Sequence, residues 1–214
     1  MLSVAIARCR SVFDIVIPVR CALCGCHGAH LCHECCERLR SSQLLSRGAC
    51  TGTPELVALG AYTGSLRAAV LALKFRHRRA AAFRLGAILG GKLHHPIDAI
   101  VPVPLHHDRL MSRGFNQAEV IAQGIASTFD APLCRNALIR TRATTAQSSL
   151  ALRERGQNVS GAFALGSEAP SLQNARVMIV DDVVTTGATA TASAATLIDG
   201  NAASIMLAAL AIRL

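Results

Sequence analysis

Residues 177–189 read VMIVDDVVTTGAT, and their reading decides the fold. Val177, Met178, Ile179 and Val180 form an unbroken apolar run, which suits a short strand covered on both faces. Asp181 and Asp182 follow, and then a turn of Thr185, Thr186, Gly187, Ala188 and Thr189. An alanine-rich run over residues 190–198 continues as a helix. Thr185 or Thr186 is the expected N-cap, and Gly187 lets the backbone approach a ligand closely. The unpaired N–H groups of the helix start can then hold a phosphate dianion without any cationic side chain. The carboxylates of Asp181 and Asp182 stand just before this cradle, where they can accept hydrogen bonds from sugar hydroxyls. An ordinary strand–turn–helix would account for VMIV and Gly187, but not for adjacent acids opening onto a threonine-rich turn. The pattern describes a ribose 5-phosphate site.

Other phosphate motifs are absent from the sequence: there is no G-x-x-x-x-G-K-[ST], and no G-x-G-x-x-G follows an expected strand. Outward from the opening stretch, residues 56–61, 98–104 (DAIVPVP) and 204–212 also read as strands. Gly64 precedes a helix carrying Leu66, Val70 and Leu73, and a long helix is expected over residues 115–129, with Asn116 a candidate cap. Strands alternating with helices from residue 56 to residue 214 predict an α/β fold with a mostly parallel, doubly wound sheet. In such a sheet the loops after the strands collect ligand groups, which draws attention to residues 105–114 with Arg109 and Arg113. Lys74 opens a basic run with Arg76, His77, Arg78, Arg79 and Arg84. The run reads mainly as a solvated helix face, with a phosphate-contact strip as the alternative, and Lys74 itself is placed to hold an anion. Residues 135–161 carry Arg140, Arg142, Arg153 and Arg155 against the single acid Glu154, with little apolar periodicity. Such a segment is either a solvated loop or a lid closing over phosphates.

The chain has 214 residues, 51% hydrophobic and 16% charged, so it can bury a core and is globular rather than disordered. Mean hydropathy is +0.39, yet no apolar run approaches the roughly 20 residues of a membrane span. Arg8, Arg10 and Asp14 interrupt the N-terminus before a signal-peptide core can form, so the expected location is cytoplasmic. Leu2, Ile6, Cys9 and Phe13 recur instead at helical spacing, as in an amphipathic helix packed on the main body. Net charge is +9, which favours anionic partners, either nucleic acid or a polyphosphate substrate. Six Phe, one Tyr and no Trp offer little for base stacking.

Residues 21–36 read CALCGCHGAHLCHECC and contain two C-x-x-C pairs, Cys21/Cys24 and Cys32/Cys35. Four thiolates at this spacing fit a closed tetrahedral Zn2+ site of architectural type. A disulfide framework is the weaker reading for a chain expected in a reducing compartment. Cys26, His27, His30, His33 and Cys36 crowd the same segment, so the ligand set stays open among them. Residues 44–54 then read as a linker rich in Ser, Gly, Thr and Pro.

The sequence resembles a known family. VMIVDDVVTTGAT is similar to the phosphoribosyl-pyrophosphate motif of type I phosphoribosyltransferases. The double C-x-x-C, LKF at residues 73–75, VPVPL and RGFNQA within residues 101–118, and Gln147, Leu150, Arg155, Asn158 and GAF at 161–163 resemble the ComF family of competence-associated proteins, in the same order. DGNAASI near the end departs from the family's usual small-residue turn, in a place that touches packing rather than chemistry. The resemblance implies a small zinc-binding finger over residues 1–43 and a sheet of the type I phosphoribosyltransferase kind over residues 56–214. It implies that residues 185–189 hold the 5-phosphate of phosphoribosyl pyrophosphate and that Asp181 and Asp182 face its ribose hydroxyls. Pro104 and Leu105 would lie in a pyrophosphate loop, with Arg109 and Arg113 as anion contacts and residues 142–158 as a lid. Mg2+ would bind mainly through the ligand's own oxygens. The implied role is in DNA uptake: phosphoribosyl transfer to an acceptor or, as the rival, single-stranded DNA binding without turnover. Both bring DNA-uptake or recombination proteins in as partners.

Overall fold

The computed structural model describes residues 19–49, 54–74, 78–142 and 161–214. The amphipathic helix expected around Leu2, Ile6, Cys9 and Phe13, and most of the lid segment beyond Arg142, lie outside the described residues.

Strand β6 (Arg176–Val184) is the axis of the molecule. It pairs in parallel with β3 (Ala99–Pro102) on one side and with β7 (Ser204–Ile212) on the other. Beyond β7 lies β2 (Glu55–Ala61), also parallel, and beyond β2 the short antiparallel edge strand β1 (Leu45–Arg47). The order β1-β2-β7-β6-β3 is thus parallel except for one edge. Val177, Met178, Ile179 and Val180 are completely buried. Met178 and Val180 enter one core, whereas Val177 and Ile179 enter the other, as the two-residue period of a strand dictates. That is the physical meaning of an apolar run without alternation: both faces of the sheet are covered.

On the first face pack helices α2 (Gly64–Ala72), α3 (Arg79–Gly90) and α5 (Gln117–Ala126), which supply Val70, Leu85, Leu89, Ile121 and Ile125. Helices α3 and α5 approach closely because glycines face each other. A Cβ built on Gly86 would lie 2.1 Å from the Ile121 carbonyl oxygen, and one on Gly124 would lie 2.1 Å from that of Phe83. Only glycine fits at such a crossing. On the second face sit helix α6 (Ala188–Asp199) and a ribbon of β4 (Leu138–Arg140) and β5 (Phe163–Leu165), carrying Leu197, Leu138 and Phe163 into the core. The start of the sheet is clamped where Arg176 gives two side-chain hydrogen bonds to Asp98, 2.7 and 2.8 Å long.

Several elements differ from the expectation. Residues 44–54 are not all linker, because β1 forms there and pairs with β2. Within residues 105–114, helix α4 (His107–Arg113) replaces the expected loop. The long helix is shorter than expected and begins after Asn116, whose side chain accepts from the Ala118 N–H at 3.1 Å. The finger contributes helix α1 (His33–Ser41), and its Leu31 and Cys35 join the core of the first face. Arg84 and Lys92 tie it down further by donating to the carbonyls of Leu31 and Leu39 at 3.0 and 2.8 Å. Among the described residues no helix is long and apolar enough to cross a membrane.

Candidate functional site

Strand β6 does not stop at its apolar run but continues through Asp181 and Asp182 to Val184. Pairing with β7 carries it on, since Asp181 lies opposite Ala209 and Val184 opposite Ile212. Strand β3 has ended by then, with its last pair at Pro102 and Val180. The acids therefore stand on ordered backbone over the open end of the sheet, a more rigid mount than a loop.

A cavity of about 550 Å³ opens there. Asp181, Asp182, Thr185, Thr189, Leu105, Arg109, Arg113 and Lys74 all line it, so residues far apart in sequence converge on one place. A small hollow continues under the turn, walled by Thr185, Gly187, Ala188 and Thr189. Pro104 and Thr186 line neither space. Gly187 is the N-cap of α6, with φ +81°, in place of the expected Thr185 or Thr186. The left-handed backbone is what glycine supplies there, and the Thr186 hydroxyl accepts from the Ala188 N–H at 3.4 Å. No atom lies within 4 Å of where a Gly187 Cβ would stand, so the cradle is open on that side.

Cations surround the acids. Lys74 follows α2, while Arg109 and Arg113 come from α4. Arg113 donates to Gln117 Oε1 at 3.0 Å, and Gln117 Nε2 donates to the Leu73 carbonyl at 3.4 Å. Asn116 Nδ2 donates to the Val103 carbonyl at 3.0 Å and so fixes the start of α5 against the end of β3. Arg140, the last residue of β4, also lines the cavity, and its guanidinium lies 5.4 Å from the centre of the Phe163 ring. The sequence carried Arg140 only as one member of a basic run. What singles it out is the antiparallel pairing of β4 with β5, which sets Arg140 opposite Phe163 of GAF.

The electrostatics follow from this crowding. Asp181 keeps some contact with the cavity, yet protein surrounds its carboxyl. Burial pushes its pKa well above the usual carboxylate range, and the neighbouring Asp182 pushes the same way, despite the Asp182 N–H that donates to Asp181 Oδ1 at 2.8 Å. Burial lowers the pKa values of Arg113 and Arg140, and Asp181 counters this at both. A site with two adjacent acids and four cations within one wall is suited to a polyanion carrying hydroxyls.

The second cluster lies in the finger. The sulfurs of Cys21, Cys24, Cys26 and Cys32 all fall within 4.8 Å of one another. Tetrahedral thiolate coordination at Zn–S of about 2.3 Å places sulfurs roughly 3.8 Å apart, so the group needs little contraction to hold one metal ion. Its all-sulfur chemistry suits Zn2+. Cys35, which the spacing paired with Cys32, shares a buried cluster with Cys21 but stands outside this tightest group, where Cys26 enters.

Comparison with known proteins places the domain in a family. Residues 114–213 match the phosphoribosyl transferase domain family. The fold and the cavity thus define a phosphoribosyltransferase-domain protein carrying a cysteine-rich finger. The chain is 34% identical over 143 residues to Competence protein F of Haemophilus influenzae, covering 63% of this chain and 62% of that protein. It is 34% identical over 189 residues to DNA utilization protein YhgH of Escherichia coli K12, covering 83% of this chain and 82% of that one. The protein belongs to the ComF family. Among solved structures, glutamine phosphoribosylpyrophosphate amidotransferase from B. subtilis is 19% identical with a TM-score of 0.45, over 62% of this chain and 26% of that chain.

Proposed function

We propose that the cavity binds phosphoribosyl pyrophosphate with Mg2+. The observation that carries this reading is the convergence of Asp181 and Asp182, the turn of residues 185–189, and Lys74, Arg109, Arg113 and Arg140 on one space. The turn and the first N–H groups of α6 take the 5-phosphate. Asp181 and Asp182 accept from the ribose hydroxyls, and the cations, with the backbone N–H of Leu105 after Pro104, take the pyrophosphate. Mg2+, a hard ion, is held mainly by the ligand's own oxygens and neutralises the pyrophosphate. In a transfer reaction an acceptor atom bonds to the anomeric carbon while the bond from that carbon to the pyrophosphate oxygen breaks. The arginines then stabilise the charge gathering on the leaving group, and Asp181 or Asp182 that on the sugar. Titration calorimetry with phosphoribosyl pyrophosphate and Mg2+ tests binding, and absence of heat with folded protein sinks it. Pyrophosphate release with pooled acceptors tests transfer.

A second reading, a non-catalytic accessory factor that holds single-stranded DNA, is favoured by the net charge of +9 and by the names of the relatives, competence and DNA utilization. Affinity for single strands that falls steeply with added salt supports it, and absence of binding at low salt removes it. Either role belongs in the cytoplasm, beside DNA-uptake or recombination proteins. The finger of residues 1–43, folded around Zn2+, would serve as an architectural unit appended to the domain of residues 56–214.

A further inference from the structure

The finger brings more thiols together than one tetrahedral ion can use. Cys21, Cys24, Cys26 and Cys32 form the tight group, and Cys24 Sγ lies 3.6 Å from Cys32 Sγ. Cys35 stands one helical turn after Cys32, the N-cap of α1, and shares a buried cluster with Cys21 against which Cys32 packs. Three thiols are therefore shared by both possible sets of four, and Cys26 and Cys35 compete for the last position.

The two competitors differ in setting. Cys26 is exposed, on the loop whose backbone is fixed where the Cys21 N–H donates to the Cys26 carbonyl at 2.8 Å. Cys35 is 2% exposed, near the start of α1, and Arg38 Nη2 donates to its sulfur at 3.6 Å. Each therefore has something to do when it is not a ligand: Cys26 meets solvent, and Cys35 keeps a cationic partner. Cys36, which follows directly, stands outside the tight group, and its thiol donates to the Leu31 carbonyl at 4.0 Å.

We propose that this is a five-thiol metal centre in which Cys21, Cys24 and Cys32 are permanent ligands while Cys26 and Cys35 exchange at the fourth position. The metal ion then always has four thiolates, and one thiol is always spare. Exchange at this single position needs no external ligand, because the incoming and outgoing sulfurs are both already at the site. The exposed position of Cys26 makes it the thiol through which solvent reaches the centre.

The proposal rests on the finger holding a metal ion, and the test separates the two claims. The full-length protein is loaded with Zn2+ and, in parallel, with Co2+ as a spectroscopic probe. Wild type, C26S, C35S, the C26S/C35S double variant and C36S are compared by metal content and by competition with a chromophoric chelator. Thermal unfolding of each confirms a folded chain. Each single variant is expected to keep one ion per chain and the visible spectrum of tetrathiolate Co2+, with affinity lowered by less than about tenfold. The double variant is expected to lose the tetrathiolate spectrum and to fall by more than about a hundredfold, while C36S behaves as wild type. If C35S alone falls as far as the double variant, Cys26 is a bystander and the proposal is overturned. If C26S alone does so, Cys26 is a fixed ligand, and if the double variant binds like wild type neither thiol is a ligand; both results overturn it too. Wild type that takes up no ion removes the metal reading itself.

Discussion

Arg113 and Gln117 are joined by a 3.0 Å hydrogen bond across the turn between α4 and α5, with the guanidinium donating to the amide oxygen. Gln117 is 2% exposed and passes the restraint on, since its Nε2 donates to the carbonyl of Leu73, immediately before Lys74. One buried amide thus links the mounts of two cavity cations that lie on separate elements. Preorganisation of this kind spares the ligand the cost of ordering long side chains when it binds.

Replacing Gln117 by Met keeps the volume and removes both bonds. Phosphoribosyl pyrophosphate should then bind about tenfold more weakly, equivalent to ~1.4 kcal/mol. Calorimetry on Q117M beside R113M checks this. A Q117M protein that binds like wild type while R113M is impaired would show that Arg113 needs no such support.

Asp181 sets a pH dependence with a definite sign. Its pKa in the folded protein is raised, so between the ordinary carboxylate value of 3.8 and that higher value the folded state holds a proton that the unfolded state has released. Stability therefore falls as pH rises through this window, by the part that Asp181 contributes. D181N has no such proton to lose, so its unfolding temperature should gain on that of wild type as pH rises from about 4 towards neutrality. Parallel curves for the two proteins across that range would contradict the buried, acid-paired setting of Asp181.

Much of this site could be read from the chain, and the parts that could not share a physical cause. VMIV announced a doubly covered strand because it lacks alternation, and DD with TTGAT announced a ligand because packing alone gives no reason for acids there. Helix α4 went unread because it buries none of its residues, which leaves no apolar period to see. Strand β1 is three residues long, with its first residue half-buried and the other two exposed, and is set by its pairing with β2 rather than by pattern. Arg140 took its importance from the antiparallel pairing with Phe163, a contact between residues 23 positions apart (163 minus 140) that no local window contains. Cys26 was visible as one of five residues that could replace an assigned ligand, and only the fold singles it out, because spacing ranks ligands by motif whereas folding ranks them by distance.

The crossing of α3 and α5 places Gln117 and Asn116 correctly, and it depends on glycine. G124A would set a Cβ 2.1 Å from the Phe83 carbonyl oxygen and 2.8 Å from the Ala87 nitrogen, both backbone atoms that cannot rotate away. The helices must then separate, at a cost of about 3 kcal/mol, the upper part of the range for overpacking. That corresponds to a fall of roughly 6–12 °C in Tm for a chain of this size. Calorimetric unfolding within a degree of wild type would mean that the helices have slack at this point.

Gly187 allows stability and ligand binding to be separated. Its φ of +81° is disfavoured for any residue with a Cβ, which costs G187A about 1 kcal/mol of stability. Nothing within 4 Å would clash with that Cβ, so the loss should end there, at roughly 2–4 °C in Tm. Binding should suffer more, because the open space beside Gly187 is where the phosphate must approach the first N–H groups of α6. Ribose 5-phosphate, which carries this phosphate but no pyrophosphate, isolates the effect. Its affinity should fall more than about tenfold in G187A, whereas R113M should leave it nearly unchanged and weaken only pyrophosphate-bearing ligands. If G187A bound ribose 5-phosphate like wild type, the turn would not be the phosphate cradle, and the orientation of the ligand in the cavity would have to be reversed.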